Sequence, residues 1–425
     1  MIVFLIITLF ISLIIGVPIF ISLILPTVIA LFTFTSMEPY VIAQRMFAGL
    51  DQFGLMAMPL FIFAAQIMLR GGIADRLLKW AGSLMSWLTG GTAFTTHFAC
   101  MFFGALSGSS PATVAAIGGV MYPELRRNKY KEGFSVGLIS SSAAVAILIP
   151  PSVTMILYGV ATGVSIGSLF IAGIGAGIVY TLSIAVYIFY WTRKNDIGKG
   201  KPFNFSDFIE STKSAVWTFG VPLIILGGIY LGIFTPTESA GISTVYAIFI
   251  SMFIYKEMDF KKLYKVSVEA AIITAQVMVL TAAAVVFGWL LTVGQVPQML
   301  TQLVTDYGTS TIVFLILLNI VFLIAGMFMD GSGAIMLLAP IVFPLGMAMN
   351  IDPVHLGVII TTNLAIGMYT PPLGLNMFIA HGVTKVPIDK IIVSSVPFLV
   401  FGLIALVIIT YVPSVSLFLP SLVYP

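Results

Sequence analysis

The segment FGALSGSSPAT, residues Phe103–Thr113, decides how the chain around it must fold. Its centre, Ser107–Pro111, consists of turn-forming residues, which predict an unwound backbone between two apolar runs. Unwound backbone exposes N–H and C=O groups that hydrocarbon cannot satisfy. The segment therefore predicts a break at which polar partners other than lipid occupy the backbone groups.

Composition indicates that the chain is a membrane protein. Of its 425 residues, 59% are hydrophobic and 8% are charged, against about 25% charged in an average soluble domain. Apolar runs as long as a bilayer crossing recur, and they predict an all-α polytopic membrane protein in a lipid bilayer. The N-terminus lacks a basic n-region and is interpreted as a mature membrane segment rather than a signal peptide. The single cysteine, Cys100, excludes an internal disulfide.

Lysine and arginine come in clusters, which should face the cytoplasm, so each interval between clusters crosses the membrane an even number of times. The net charge of +3 therefore reports topology and does not indicate a nucleic-acid partner. The clusters are Arg70, Arg76 and Lys79; Arg126, Arg127, Lys129 and Lys131; Arg193, Lys194, Lys199 and Lys201; Lys256, Lys261, Lys262 and Lys265; and Lys385 and Lys390.

Residues 92–122, which hold the opening segment, are too few for two comfortable crossings. They predict a re-entrant helical hairpin that turns near mid-membrane; two short tilted spans are the alternative. Residues 265–385 contain no Lys or Arg between their ends. They predict a second hairpin at 309–344, interrupted at FMDGSGA (Phe328–Ala334) and entered from the opposite side.

Two Pro-Pro pairs, Pro150-Pro151 and Pro371-Pro372, interrupt apolar spans at 134–160 and 354–380. Proline removes a backbone donor, so each pair frees carbonyl oxygens. A shift of about 220 residues superposes hairpin on hairpin and break on break, and the charges give the halves opposite orientation, a pattern typical of secondary transporters. The predicted order is a first repeat at 1–194, a cytoplasmic linker with an amphipathic helix at 195–212, and a second repeat at 213–425 that ends in a C-terminal helix.

The interruptions predict binding sites. Freed carbonyls and Ser hydroxyls are neutral oxygen ligands that suit Na⁺, and helix N-termini attract an anionic substrate group. If the SGSSP turn stood alone, tight packing of small residues would explain it, but four matched interruptions favour a binding site. Asp330 is a candidate ligand because a carboxylate in an apolar stretch is costly, with a surface loop or a proton carrier as alternatives. The predicted substrate vicinity comprises Ser110, Pro111, Gly331 and Gly333. Neither a catalytic dyad nor a nucleotide-binding loop occurs in the sequence, so an enzyme or an ATP-driven pump is not expected.

At these motifs the chain resembles the large membrane subunit of TRAP transporters, the tripartite ATP-independent periplasmic family. The resemblance covers essentially the whole chain and lies in FGALSGSSPATVAAIGGVMYPEL (Phe103–Leu125), ILIPPSVTMILYG (Ile147–Gly159), FTPTESAGISTVYA (Phe234–Ala247), FMDGSGAIMLLAPIVFPL (Phe328–Leu345) and NLAIGMYTPPLGLNMF (Asn363–Phe378).

The resemblance implies a multi-pass protein of the bacterial inner membrane that works as a sodium-driven elevator, with a mobile domain that carries both hairpins. Na⁺ is the coupling ion and no other cofactor is implied. The implied partners are a small four-helix membrane subunit on a separate chain and a periplasmic substrate-binding protein. The binding protein would deliver an organic acid, either sialic acid, which is slightly favoured, or a C4-dicarboxylate. A stand-alone Na⁺/dicarboxylate symporter is the alternative.

The resemblance also implies two sodium sites. The first consists of Ser107 and Ser109 with backbone carbonyls near Ala146, Ile149 and Pro151. The second consists of Asp330 and Ser332 with carbonyls near Gly367, Thr370 and Pro372. Because Asp330 aligns with Gly108, the second site carries a charge that the first lacks, and the two ions should bind unequally.

Overall fold

The computed structural model describes residues 1–195, 202–306, 308 and 310–423, and these residues are helical or irregular, with no strand among them. Short 3₁₀ segments cover Phe53–Met56 and Ala143–Ile147, and π-helical segments cover Leu223–Gly227 and Ile250–Ile254. The α-helices are α1 Ile2–Ile15, α2 Ile19–Phe34, α3 Tyr40–Leu50, α4 Ala57–Arg70, α5 Ile73–Met85, α6 Gly91–Ser107, α7 Ser110–Arg127, α8 Glu132–Ser142, α9 Val153–Thr162, α10 Ile166–Lys194, α11 Phe205–Ala215, α12 Gly220–Pro222, α13 Gly228–Tyr230, α14 Pro236–Phe249, α15 Phe260–Val293, α16 Val296–Asp306, α17 Thr311–Phe328, α18 Gly331–Ala348, α19 Pro353–Gly367, α20 Leu375–Thr384, α21 Ile388–Tyr411 and α22 Ser414–Val423.

Seven helical stretches of the described chain are long and apolar enough to cross a membrane, and an eighth results if the pair Phe205–Ala215 and Gly220–Tyr230, bent by 55°, forms one span. This confirms the prediction of an all-α polytopic membrane protein. The seven are Phe53–Arg70, Ile166–Lys194, Pro236–Ile254, Phe260–Val293, Thr311–Phe328, Gly331–Ala348 and Ile388–Tyr411.

Helices end and restart at the four interruptions that the sequence singles out. α6 ends at Ser107 and α7 begins at Ser110, while α17 ends at Phe328 and α18 begins at Gly331. The re-entrant interpretation of these two helix pairs stays a prediction. Downstream, irregular backbone separates the 3₁₀ turn Ala143–Ile147 from α9, and α19 from α20.

Two predicted boundaries fall at the edges of the described residues. Of the linker predicted at 195–212, residues 196–201 lie outside the described part, and so does residue 309, where the second hairpin is predicted to begin. Within the linker, the Asn204 side chain accepts a hydrogen bond from the Ser206 N–H at 3.0 Å and caps α11. This helix continues to Ala215, past the predicted linker boundary.

The helices pack as two groups. The tip group, α6–α10 with α17–α22, contains all four interruptions, and the frame group, α1–α5 with α11–α16, packs against it, α5 on α6 and α15 and α16 on α18. Within the tip group, the halves of the chain exchange partners: α7 packs on α20 and α18 packs on α9. Each interruption is followed by a helix that packs against a helix of the other half. The interruptions of the two halves therefore lie close together.

Candidate ion and substrate site

The first tip is the turn between α6 and α7. Gly108 has φ +60°, and a Cβ there would collide with the Pro151 carbonyl oxygen. Glycine is required because a side chain is disfavoured by both the left-handed backbone and the close approach. Ser109 caps α7 by accepting from the Ala112 N–H at 3.4 Å, and Ser107 Oγ lies 3.1 Å from Thr113 Oγ1. The first tip therefore lies directly on the first Pro-Pro break.

The second tip is the turn between α17 and α18. Asp330 caps α18, its carboxylate accepting from the Ser332 N–H at 3.0 Å. A Cβ added to Gly331 would lie 3.2 Å from Thr154 Oγ1 and 3.3 Å from Met368 Cε. The second tip thus contacts α9 of the first half. Among the described residues, no Lys, Arg or His makes an ion pair with Asp330.

Both tips line one cavity of about 180 Å³ between the tip group and the frame group. The tip side brings together residues from both predicted sodium sites and from the predicted substrate vicinity. On the frame side, α4 and α15 contribute mostly apolar side chains together with Gln66. The tip residues are Ser107, Gly108, Ser109, Ser110, Pro111, Ala112, Asp330, Gly331 and Ser332; the frame residues are Ile62, Ala65, Gln66, Leu69, Ile273 and Val277; and Phe103, Ile147, Val153, Thr154 and Met368 complete the lining.

The predicted ligands at the Pro-Pro breaks lie behind this lining rather than in it. At the first break, Pro151 packs on Gly108, Ala146 is buried against Gly104, and Ile149 lies against Gly177 of α10. None of the three lines the cavity, whereas their neighbour Ile147 does.

At the second break, some predicted carbonyl ligands already accept hydrogen bonds. The Gly367 carbonyl accepts from the Thr370 N–H at 3.0 Å, and the Thr370 carbonyl accepts from the Gly374 N–H at 3.1 Å. A carbonyl has two lone pairs, so one engaged bond leaves a second available to an ion. Neither Pro372 nor Gly333 lines the cavity; a Cβ at Gly333 would lie 3.2 Å from Asp330 Oδ1.

Equivalent contacts recur in the two halves at the predicted shift of about 220 residues. In each half, a glycine of the helix before the tip packs on a small residue that lies shortly before the Pro-Pro break. In each half, a pair of polar side chains also joins the helix before the tip to the helix before the break. The glycine contacts are Gly104 with Ala146 and Gly326 with Gly367. The polar pairs are His97 Nδ1 with Ser142 Oγ at 2.8 Å and Asn363 Nδ2 with Asn319 Oδ1 at 2.7 Å.

Three polar residues that lie in or beside the site are absent from the sequence prediction: Gln66, Thr154 and Asn376. Asn376 is fully buried in α20, and its Nδ2 donates to Ser110 Oγ at 2.8 Å and to the Ser140 carbonyl at 2.9 Å. Thr154 lies three residues after Pro151 and Asn376 four residues after Pro372, so a polar residue about one turn after each Pro-Pro break was the available signal. Gln66 had no comparable signal, because only packing brings α4 to the tips.

Comparisons with known proteins agree with the motifs. Residues 6–415 match the family model described as "Tripartite ATP-independent periplasmic transporter, DctM component". The chain is 40% identical over 380 residues to the C4-dicarboxylate TRAP transporter large permease protein DctM of Pseudomonas aeruginosa, covering 89% of each chain. It is 37% identical over 430 residues to the protein of the same name from Vibrio cholerae serotype O1, covering 96% of this chain and 95% of that one.

Among solved structures, the YdaH transporter of Alcanivorax borkumensis superposes with a TM-score of 0.62 at 15% identity, covering 87% of this chain and 88% of that one. At this identity the likeness shows the fold alone. The matched relatives are permeases and not enzymes, which confirms that expectation. The family model, the identities and the motifs around both tips together show that this chain belongs to the large permease (DctM) family of TRAP transporters.

Proposed function

We propose that this chain is the large permease of a sodium-coupled carrier that imports a small organic acid anion across the bacterial inner membrane. The observation that carries the proposal is the single cavity lined by Ser107, Ser109, Asp330 and Ser332. Four oxygen-bearing side chains from two distant segments meet there, and the rest of the lining is mostly apolar apart from Ser110, Thr154 and Gln66.

The ligand chemistry favours Na⁺ as the coupling ion. Hydroxyl and carbonyl oxygens are hard, neutral ligands that hold a monovalent cation without trapping it, and Asp330 adds one negative charge. The carboxylate of Asp330 is half-buried and has no cationic partner among the described residues. A bound cation would supply the missing charge, because an unpaired charge in such surroundings is costly.

The tip helices favour an anionic substrate beside the ions. α7 and α18 each begin at the cavity, with Ser110 and Gly331 as their first residues, so their N-terminal N–H groups face it. Unsatisfied N–H groups and the helix dipole attract carboxylates at such ends. The C4-dicarboxylate permeases among the relatives favour a C4-dicarboxylate over the sialic acid that the family resemblance slightly favours.

The position of the cavity supports an elevator mechanism. It lies at the boundary between the groups, and its frame side presents apolar side chains such as Ile62, Ala65 and Val277. An apolar frame surface makes few hydrogen bonds that would hold the tip group in one position. In the proposed cycle the tip group carries ions and substrate past this surface, while the frame group stays in the bilayer.

The family description names a tripartite transporter, which supports two further components. We propose a small membrane subunit on the apolar outer surface of the frame group and a periplasmic protein that delivers the substrate. Exposed large side chains of the frame group, including Phe10, Phe32 and Leu231, supply such a surface, which lipid also covers.

The test is uptake of radiolabelled succinate into proteoliposomes that hold this chain with and without its two partners. The proposal predicts accumulation that requires an inward sodium gradient and all three components. Uptake by the chain alone would instead support a stand-alone symporter. Accumulation that follows a proton gradient without sodium would overturn sodium coupling, and a sodium-dependent carrier that ignores succinate would overturn the substrate class.

A further inference from the structure

Arg45 is a cation that the proposed cycle does not use. Every other Lys or Arg except Lys213 belongs to one of the basic clusters assigned to the cytoplasmic side. Arg45 lies on α3, is exposed, and holds its guanidinium carbon 5.1 Å from the centre of the Trp289 ring. Among the described residues, no carboxylate makes an ion pair with it.

The predicted topology puts Arg45 near the outer face of the membrane. α3 leads to Gln52, which lines a cavity together with Gly163 and Thr235. Gly163 lies between the basic clusters that end at Lys131 and begin at Arg193, and Thr235 lies between those that end at Lys201 and begin at Lys256. Two crossings fit in each interval, so the turn between them is predicted on the outer side. Cations are depleted from outer segments by the positive-inside bias. An arginine near the outer face that pairs with no carboxylate of the described chain is therefore expected to bind an anion from outside it.

Arg45 lines a crevice of about 390 Å³ whose two walls belong to different helix groups. α3 and α15 of the frame group form one wall, and α9 and α18 of the tip group form the other. The lining residues are Arg45, Ala48, Gly49, Gln52, Val160, Ala161, Ala284, Val285, Gly288, Trp289, Thr292, Met336 and Pro340.

One helix connects this crevice to the tip cavity. Gly331 and Ser332 at the start of α18 line the tip cavity, and Met336 and Pro340 of the same helix line the crevice. At 1.5 Å per residue the two places are separated by roughly 6–12 Å along the helix. The crevice and the tip cavity therefore lie next to each other along α18.

We propose that Arg45 and Trp289 form an outer docking site for a carboxylate of the organic acid, occupied before the substrate reaches the tips. A guanidinium binds a carboxylate through two parallel N–H···O bonds. The Arg45 guanidinium lies 5.1 Å from the centre of the Trp289 ring, and Gln52 and Thr292 supply polar groups in the same crevice. The inference rests on the proposed function, since it names a second contact for the same substrate.

The first test compares succinate uptake by the three-component carrier containing wild-type chain, Arg45→Lys or Arg45→Gln. For Arg45→Gln we expect a KM about tenfold higher, with an unchanged sodium half-saturation and a maximal rate within about twofold, because one charged hydrogen-bonded contact is lost. The KM of Arg45→Lys should lie between those of wild type and Arg45→Gln, since lysine keeps the charge but cannot form two parallel hydrogen bonds to a carboxylate. The matched control is Arg127→Gln, which removes an exposed arginine that pairs with Glu124. A wild-type KM in Arg45→Gln would overturn the proposal.

Lipid phosphate has the same anionic oxygens and is the competing source. The comparison is therefore repeated in vesicles of phosphatidylcholine alone and in vesicles containing phosphatidylglycerol. A KM difference in both kinds of vesicle supports substrate docking. A difference confined to the anionic vesicles assigns Arg45 to lipid and overturns the docking site.

A binding assay separates failure of this site from failure of the proposed function. Cys100 is buried, so a cysteine introduced by Ala48→Cys, in the crevice wall, is the accessible thiol in the described part of the chain. Succinate should slow maleimide labelling when Arg45 is present and have no effect in the Arg45→Gln background. Equal labelling with and without succinate overturns the site even if wild-type uptake is normal. Protection without uptake would retain the site and reject the transport proposal.

Discussion

The two tips share a backbone plan but differ in what holds them. The first, at Gly108 and Ser109, is uncharged, and its helix start is tied to the other half of the chain through Ser110 and the buried Asn376. The second carries Asp330, whose carboxylate accepts a hydrogen bond from its own helix, from the Ser332 N–H. Thr154 of α9 lies beside Gly331, but among the described residues it makes no hydrogen bond to the second tip comparable to that of Asn376 to the first.

This difference distinguishes the two tips as candidates for ligand binding. Polar groups of the first tip are hydrogen-bonded by the protein itself, whereas the carboxylate of the second tip is free to bind the proposed ion. Buried polar groups need partners, and the first tip receives one from Asn376, whose Nδ2 donates to Ser110 Oγ. The carboxylate of the second tip has no cationic partner among the described residues, and a bound sodium ion is the partner we propose. The second tip is therefore the one whose order and position should respond most strongly to sodium.

The largest expected effect is at the second tip. Asp330→Ala should raise the sodium half-saturation of uptake by about a hundredfold, because a unit charge beside a bound ion contributes several kcal/mol at intermediate dielectric. Membrane insertion should be normal. The control is Asp352→Ala, which removes another N-cap carboxylate, one that accepts from the Val354 N–H at 2.8 Å. An unchanged sodium titration in Asp330→Ala would remove this residue from the ion site.

A glycine exchange compares the two tips as backbone. Gly108→Ala should destabilise the purified chain by about 2–3 kcal/mol, because the new Cβ meets backbone at a positive φ. Gly331→Ala should cost less than about 1 kcal/mol, since the Cβ meets only side-chain ends at 3.2–3.3 Å. Thermal unfolding in detergent measures both. Equal losses in the two variants would contradict the contrast between a backbone-locked and a side-chain-lined tip.

The link between the halves is tested at Asn376. Asn376→Ala leaves Ser110 and the Ser140 carbonyl without this donor and should destabilise the chain by about 1–3 kcal/mol. In the Asn376→Ala background, Ser110→Ala should cause little further destabilisation, because the hydrogen bond between the two side chains is already lost. Asn128→Ala is the control, as it removes an amide that donates to the Glu124 carbonyl at an exposed site. Fully additive losses for Asn376 and Ser110 would show that the bond does not join the two halves.

The smallest expected effect is at the hydroxyls of the first tip. Ser107→Ala combined with Ser109→Ala should lower uptake severalfold, while the fold survives because the lost N-cap costs about 1 kcal/mol. Ser310→Ala, which removes the cap on the Val313 N–H at 3.3 Å, is a matched loss away from the cavity. Full activity in the double variant would return SGSSP to the interpretation of small-residue packing.

The sequence alone predicts the class, the family and the location of the interruptions. Gly108, the Pro-Pro pairs and the run around Asp330 break helices through local chemistry, since φ preferences and missing N–H donors act within a few residues. The apolar runs predict spans for the same reason: the bilayer acts on each segment separately. Because these effects are local, they can be read without knowing which helices are neighbours.

Only the tertiary structure decides which groups share a site. Asn376 is an ordinary polar residue in the sequence and becomes a tie between halves because α20 packs on α7. Gln66 reaches the tip cavity because α4 packs beside it. The Thr370 carbonyl already accepts a hydrogen bond, from the Gly374 N–H, that its position in the sequence does not predict. These facts depend on contacts between segments far apart in the chain, whose geometry is set by complementary packing and not by local preference.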